Sequence, residues 1–193
     1  MDDAMMMAAL CKVGATAAIA CAAVGSAVGT GVAGMAAVGA WKKCYAQSKA
    51  APFLLLVFIG APLSQTIYGL ILMLSISGSA DLATYVPAEA LQAAKDAAAA
   101  AQSVDWISFL SADVLEAART ALGNACVNWP AVVSAGFLGG IAMAFSAWYQ
   151  GRAGAAGSDA LAETGQGFGN YRRTIGVVET VALFVMIFIQ LAI

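Results

Sequence analysis

The sequence predicts an all-α membrane protein whose four transmembrane helices form two fused helical hairpins. Three observations predict it. The chain of 193 residues is 62% hydrophobic and 10% charged, with a mean hydropathy of +0.83, far less charge than a soluble domain of this size needs. Four segments reach the roughly 20 apolar residues that cross a bilayer core. The first pair of segments also aligns with the second, as a repeat.

The elements follow in order. The start, "MDDAMMM", is acidic. A signal peptide carries a positive n-region and a shorter apolar core, so the first segment reads as a retained helix. That first span covers roughly 12–41 and is rich in Ala and Gly; the second covers roughly 51–77. The third covers roughly 130–160, opened by Pro130 at a position that suits proline. The fourth covers roughly 170–193. Spans one, three and four are expected to protrude from the bilayer as their apolar runs fade into polar helix. The organisation is thus a first transmembrane hairpin at 12–77, a connection at 78–129, and a second hairpin at 130–193.

Charge predicts orientation. Lys42, Lys43 and Lys49 lie between spans one and two, and Arg172 and Arg173 open span four. The positive-inside rule puts the loops near 42–49 and 160–173 in the cytoplasm. The 78–129 connection carries Asp81, Glu89, Asp96, Asp105, Asp113 and Glu116 against Lys95 and Arg119. It is expected outside, with both termini. Within it, "AEALQAAKDAAAAAQ" and "SADVLEAARTALGN" read as two short helices forming a helical hairpin, the second opened by a Ser/Asp cap signal.

Several function classes are excluded. There is no histidine, hence no His-based catalysis or His metal site. A formal charge of −2 offers no general attraction to nucleic acid. Cys11, Cys21, Cys44 and Cys126 lack CxxC spacing and read as small apolar fillers, not as a zinc site or a disulfide frame. No GxxxxGK[ST] phosphate loop is present, so the chain offers no P-loop nucleotide site.

In the repeat, "GSAVGTGVAG" (25–34) aligns with "FSAWYQGRAG" (145–154), and "APLSQTIYGLIL" (61–72) with "IGVVETVALFVM" (175–186). Ser26 falls on Ser146, Thr30 on Gln150, Gln65 on Glu179 and Thr66 on Thr180. Small residues at Gly25 and Gly29, then at Gly31 and Gly34, predict close helix packing along span one. Spans two and four are bulkier and are expected to face lipid, giving two concentric layers of helices.

Glu179 is the one acid deep within a span. A charge at mid-membrane costs about 2.5–3.5 kcal/mol on insertion scales, which marks such a residue as functional. Ala61, Ser64, Gln65 and Tyr68 share one helical face by their i, i+3, i+4, i+7 spacing. Pro62 removes a backbone donor and is expected to free a carbonyl near Ala61. With Gln150, these residues offer a carboxylate, two amide oxygens, a hydroxyl, a phenol and a carbonyl. An oxygen-only set with one negative charge suits a small hard cation. A bare proton needs fewer oxygens, so the set favours Na⁺; Li⁺ also fits. Singly, Ser64, Gln65 and Gln150 read equally as interhelical glue. Arg152 is expected to snorkel to the cytoplasmic membrane edge.

"GSAVGTGVAG", "PLSQTIYG", "YQGRAGAAG" and "VVETVALF" together resemble the proteolipid (c or K) subunit of V-type and archaeal-type rotary ATPases, in its Na⁺-carrying branch. The resemblance covers all four spans. It implies a ring of identical subunits turning in the lipid membrane against a static membrane subunit that bears an essential Arg. It also implies a central-stalk subunit on the cytoplasmic loops. It implies that Ala61 (through its carbonyl), Ser64, Gln65, Gln150 and Glu179 bind Na⁺, that Tyr68 hydrogen-bonds the carboxylate, and that each chain carries one ion. It implies a non-nucleotide-binding subunit of an ion-translocating ATPase, not an enzyme by itself. The chain departs from the family at 78–129, where a short loop is usual. Two alternatives stay open: the same rotor protein carrying H⁺, and a free-standing four-helix channel or scaffold.

Overall fold

The computed structural model describes residues 3–193, and among them there are helices and turns but no strands. Helix α1 runs Asp3–Ala46, α2 Leu55–Gly60 and α3 Ser64–Ser79, with a 3-10 turn at Ala61–Leu63 joining the last two. In the connection, α4 spans Ala88–Ala100 and α5 spans Ala112–Ala125. Then α6 runs Trp129–Thr164 and α7 Phe168–Ala192. Four stretches, Asp3–Ala46, Leu55–Ser79, Trp129–Thr164 and Phe168–Ala192, are long and apolar enough to cross a membrane. This is an integral, multi-pass membrane protein. At 1.5 Å per residue α1 is about 66 Å long, twice the hydrocarbon core, and it starts well before the expected boundary at 12.

α1 and α6 form the closest pair, running side by side in the same direction. A Cβ at Gly136 would collide with the backbone of Gly14, one at Gly25 with Ala144, and one at Gly151 with the backbone of Gly29. Only glycine permits such backbone approach, and the reward is dispersion contact along the seam. The expectation for Gly31 and Gly34 needs correction. A Cβ at Gly31 would meet nothing within 4 Å, and one at Gly34 only the Ile59 side chain at 3.9 Å. These two glycines lie off the intramolecular seam.

α3 packs on α1, α7 packs on α6, and α3 and α7 touch each other. The two bulkier helices flank the small-residue pair, and their outer faces expose Ile67, Leu70, Leu74, Val177, Val181, Phe184 and Phe188. Buried apolar residues form two clusters. One joins Leu72, Ile76, Met143, Ala182 and Met186 to Ala8, Cys11, Ala118, Leu122 and Cys126. The other joins Ala37, Ala40, Cys44, Leu55, Phe58, Leu161 and Ile175. Between them, on α3, α6 and α7, lie the polar residues of the hairpins.

The 78–129 connection is less of a hairpin than its sequence suggests. α5 packs against α1 and the 3-10 turn Leu82–Tyr85, whereas α4 rests on the 3-10 turn Ile107–Phe109. Ser111 occupies the N-cap position of α5 in an extended conformation but makes no side-chain cap bond. At the opposite end, α6 stops at Gly165, whose φ of +66° is left-handed; glycine adopts that conformation without cost. Beside this turn, Lys43 of α1 pairs with Asp159 and Glu163 of α6, all three roughly half exposed, where an ion pair contributes little.

Candidate functional site

The site grows out of a break in the second span. Pro62 cannot donate a backbone hydrogen bond, so the carbonyl four residues back, that of Phe58, loses its usual donor. The chain tightens into the 3-10 turn Ala61–Leu63 and resumes as α3 at Ser64. The carbonyl of Ala61 is not free, contrary to expectation. It accepts the Ser64 backbone N–H and, at 3.1 Å, the Ser64 hydroxyl. Its oxygen is thereby tied to Ser64, the residue next to Gln65.

From there a continuous hydrogen-bond network crosses three helices. Ser64 Oγ also lies 3.3 Å from Gln65 Oε1, the second acceptor within reach of its single proton. Gln65 Nε2 donates to Gln150 Oε1 of α6 at 2.8 Å. Gln150 Nε2 donates to Glu179 Oε2 of α7 at 3.4 Å and faces the Ile175 carbonyl at the same distance. Tyr68 donates its phenolic proton to Glu179 Oε1 at 2.9 Å. Both oxygens of the single acid thus have donors, one from α3 and one from α6. Gln65 and Gln150 are fully buried, while Ser64, Tyr68 and Glu179 are half-buried.

All six expected residues therefore converge on one locus. Ala61, Ser64, Gln65 and Tyr68 arrive from the second span, Gln150 from the third and Glu179 from the fourth. The apolar clusters bracket it along each helix. Phe58 and Leu72 flank Gln65 in sequence, Met143 and Leu161 flank Gln150, and Ile175 and Ala182 flank Glu179. In this dry surrounding an unpaired amide would cost about 1–3 kcal/mol, which explains why the amides pair.

One further residue belongs to the site and is not evident from the sequence. Ser146 of α6 donates to the Val178 carbonyl at 3.0 Å and accepts from Gln65 Nε2 at 3.4 Å. It anchors α7 beside Glu179 and holds the Gln65 amide from the far side. A signal for it exists, since Ser146 lies one turn before Gln150 on the same face. Its repeat partner Ser26 is also buried, and neither Ser26 Oγ nor Thr30 Oγ1 has a hydrogen-bond partner. The first hairpin keeps the positions of the network without completing one.

Arg152 does not reach this site. Its guanidinium stands 5.8 Å from the ring centre of Trp148 and 5.7 Å from that of Tyr149, at an exposed position of α6. Thr180, beside the acid in sequence, bonds back to the Val177 carbonyl at 2.7 Å on the outer surface.

With this geometry in view, the comparison with known families is specific about the second hairpin. Residues 133–191 match the family model of the ATP synthase C subunit. The matched stretch contains Ser146, Gln150 and Glu179, and so carries the acid and its α6 partners. No curated protein matches the chain.

Proposed function

We propose that the chain is an ion-carrying rotor-ring subunit of a rotary ATPase of the V type, translocating Na⁺ through Glu179. The observation that carries this reading is the convergence of a lone half-buried carboxylate with buried amides of two other spans, between apolar layers. In the proposal, Na⁺ is the cargo. It sits among a Glu179 oxygen, the Gln65 and Gln150 amide oxygens, Ser64 Oγ and the Ala61 carbonyl. These donors are hard oxygens, as a small hard cation requires.

The residues divide the work. Glu179 supplies the charge that neutralises the cation. Tyr68 fixes one carboxylate oxygen and leaves the other to the ion. The two glutamines turn their amide oxygens inward, exchanging their mutual hydrogen bond for the cation. A loaded site is neutral and passes through lipid; an empty one is anionic and costs energy there. An emptied Glu179 would therefore be held opposite the essential Arg of a static membrane subunit. Each charge moved across the membrane is worth about 2.3 kcal/mol per 100 mV. Identical copies would form the ring, with α1 and α6 in the inner layer and α3 and α7 facing lipid. The loops near 42–49 and 160–173 would meet a central stalk in the cytoplasm, and 78–129 would lie outside. ATP hydrolysis or synthesis belongs to other subunits.

A second reading, H⁺ as cargo, draws on a separate observation: Tyr68, at 2.9 Å, gives the Glu179 carboxyl the one close hydrogen-bond partner that a carried proton needs. Ion-uptake measurements on the reconstituted complex test the function. Glu179→Gln is expected to abolish ATP-driven uptake of both ²²Na⁺ and H⁺ while the ring still assembles; a variant that still pumps contradicts the carrier role.

A further inference from the structure

The connection at 78–129 brings one pair of side chains together that the ion-carrying role does not use. Along α1, a Cβ at Gly123 would touch the Ala4 Cβ at 3.4 Å, and a Cβ at Gly14 would lie 2.8 Å from the Val132 carbonyl oxygen. These contacts bracket Cys11 on α1 and Cys126 at the end of α5, and set the two at the same level of the seam. Both are 2% exposed and belong to one apolar cluster. Ala8 and Leu122, each about one helical turn before these cysteines, line the same cavity between α1 and α5. Cys11, Cys21 and Cys44 share α1, so Cys21 is about 15 Å along the helix from Cys11. That is beyond the Cα separation of about 4.4–6.8 Å that a disulfide allows.

We propose that Cys11 and Cys126 form a disulfide in the mature protein, stapling the 78–129 connection to the head of α1. The bond closes the chain from 11 to 126, and so ties the least membrane-embedded segment to the longest helix. This inference rests on the outward placement of 78–129 under the proposed function, because disulfides persist in oxidising compartments outside the cytoplasm. The chemistry balances by exchange. One thiolate attacks the disulfide of a thiol–disulfide oxidoreductase, giving a mixed disulfide; the second thiolate displaces it. The S–S bond forms, two protons are released from the thiols, and two electrons reduce the oxidoreductase disulfide to its dithiol. Since both sulfurs end up buried, pairing takes place before α5 closes on α1, and the finished bond is shielded from soluble reductants.

Thiol counting tests it. The intact membrane complex is denatured in N-ethylmaleimide without reductant and the chain is weighed by mass spectrometry. Of the four cysteines, only Cys21 and Cys44 are expected to be alkylated, with all four modified when reduction precedes alkylation. Cys11→Ser is expected to carry three adducts with or without reductant. Four adducts on the unreduced natural chain overturn the proposal. A Ser103→Cys chain probed in intact cells with a membrane-impermeant maleimide then separates the two premises. Labelling from outside means that the pairing is wrong, and no labelling means that the sidedness is wrong.

Discussion

Tyr68 and Glu179, 111 residues apart in sequence, are joined by a 2.9 Å hydrogen bond across the α3–α7 seam. The phenol does two things at once. It holds one oxygen of the Glu179 carboxylate while Gln150 reaches the other, and it fastens the outer helices of the two hairpins to each other. Tyr68→Phe keeps the ring shape and removes the donor. A hydrogen bond to a charged group contributes about 1.5–3 kcal/mol. Ion uptake is expected to fall roughly 10-fold to 100-fold with assembly unchanged, measured on reconstituted complex; unchanged uptake would assign Tyr68 to packing alone.

The amide pair gives a sharper prediction. Gln65→Leu leaves Gln150 Oε1 without its buried donor, and Gln150→Leu leaves Gln65 Nε2 with only the long contact to Ser146. Each single change is expected to destabilise the protein by about 1–3 kcal/mol, because a buried group loses its partner. The double change removes both groups together and is expected to cost less than the sum. Thermal unfolding of the four chains in detergent measures the coupling; strict additivity contradicts the pairing.

Glycine substitutions separate the two halves of the α1 stripe. Gly29→Leu and Gly151→Leu force side chains into facing backbone, so each is expected to cost at least the roughly 1–3 kcal/mol of core overpacking and to lower the yield of folded protein. Gly31→Ala meets no atom within 4 Å inside the chain and is expected to leave the isolated chain's thermal stability unchanged. An equal loss from both would contradict the observed seam.

The contrast between Gly29 and Gly31 marks the limit of what the sequence carries. Small and apolar residues run all round α1, so no polar face reveals which glycines point inward, and the phase comes only from α6. Glu179, Gln65 and Gln150 are legible because a polar group in a greasy span is conspicuous and because the repeat aligns them. Ser146 is not, since serine is common on membrane helices and its role depends on Val178 and Gln65, contacts made in three dimensions. The Ala61 carbonyl misleads for a related reason. Proline's missing donor is evident in the sequence, but the 3-10 turn that refills the Ala61 oxygen is not. In the connection, α4 and α5 are evident from composition, but their partners are not, because α5 finds its apolar surface on α1 rather than on its neighbour in sequence.

Carbodiimide modification of Glu179, followed by mass spectrometry over a range of Na⁺ at fixed pH, tests the central claim most directly. The reagent attacks a protonated carboxyl, and a bound cation both displaces the proton and occupies the oxygens. Rising Na⁺ is predicted to slow modification of Glu179 in a saturable manner, with K⁺ at equal ionic strength giving no protection. Modification that follows pH alone and ignores Na⁺ would contradict a sodium site among Ala61, Ser64, Gln65, Gln150 and Glu179.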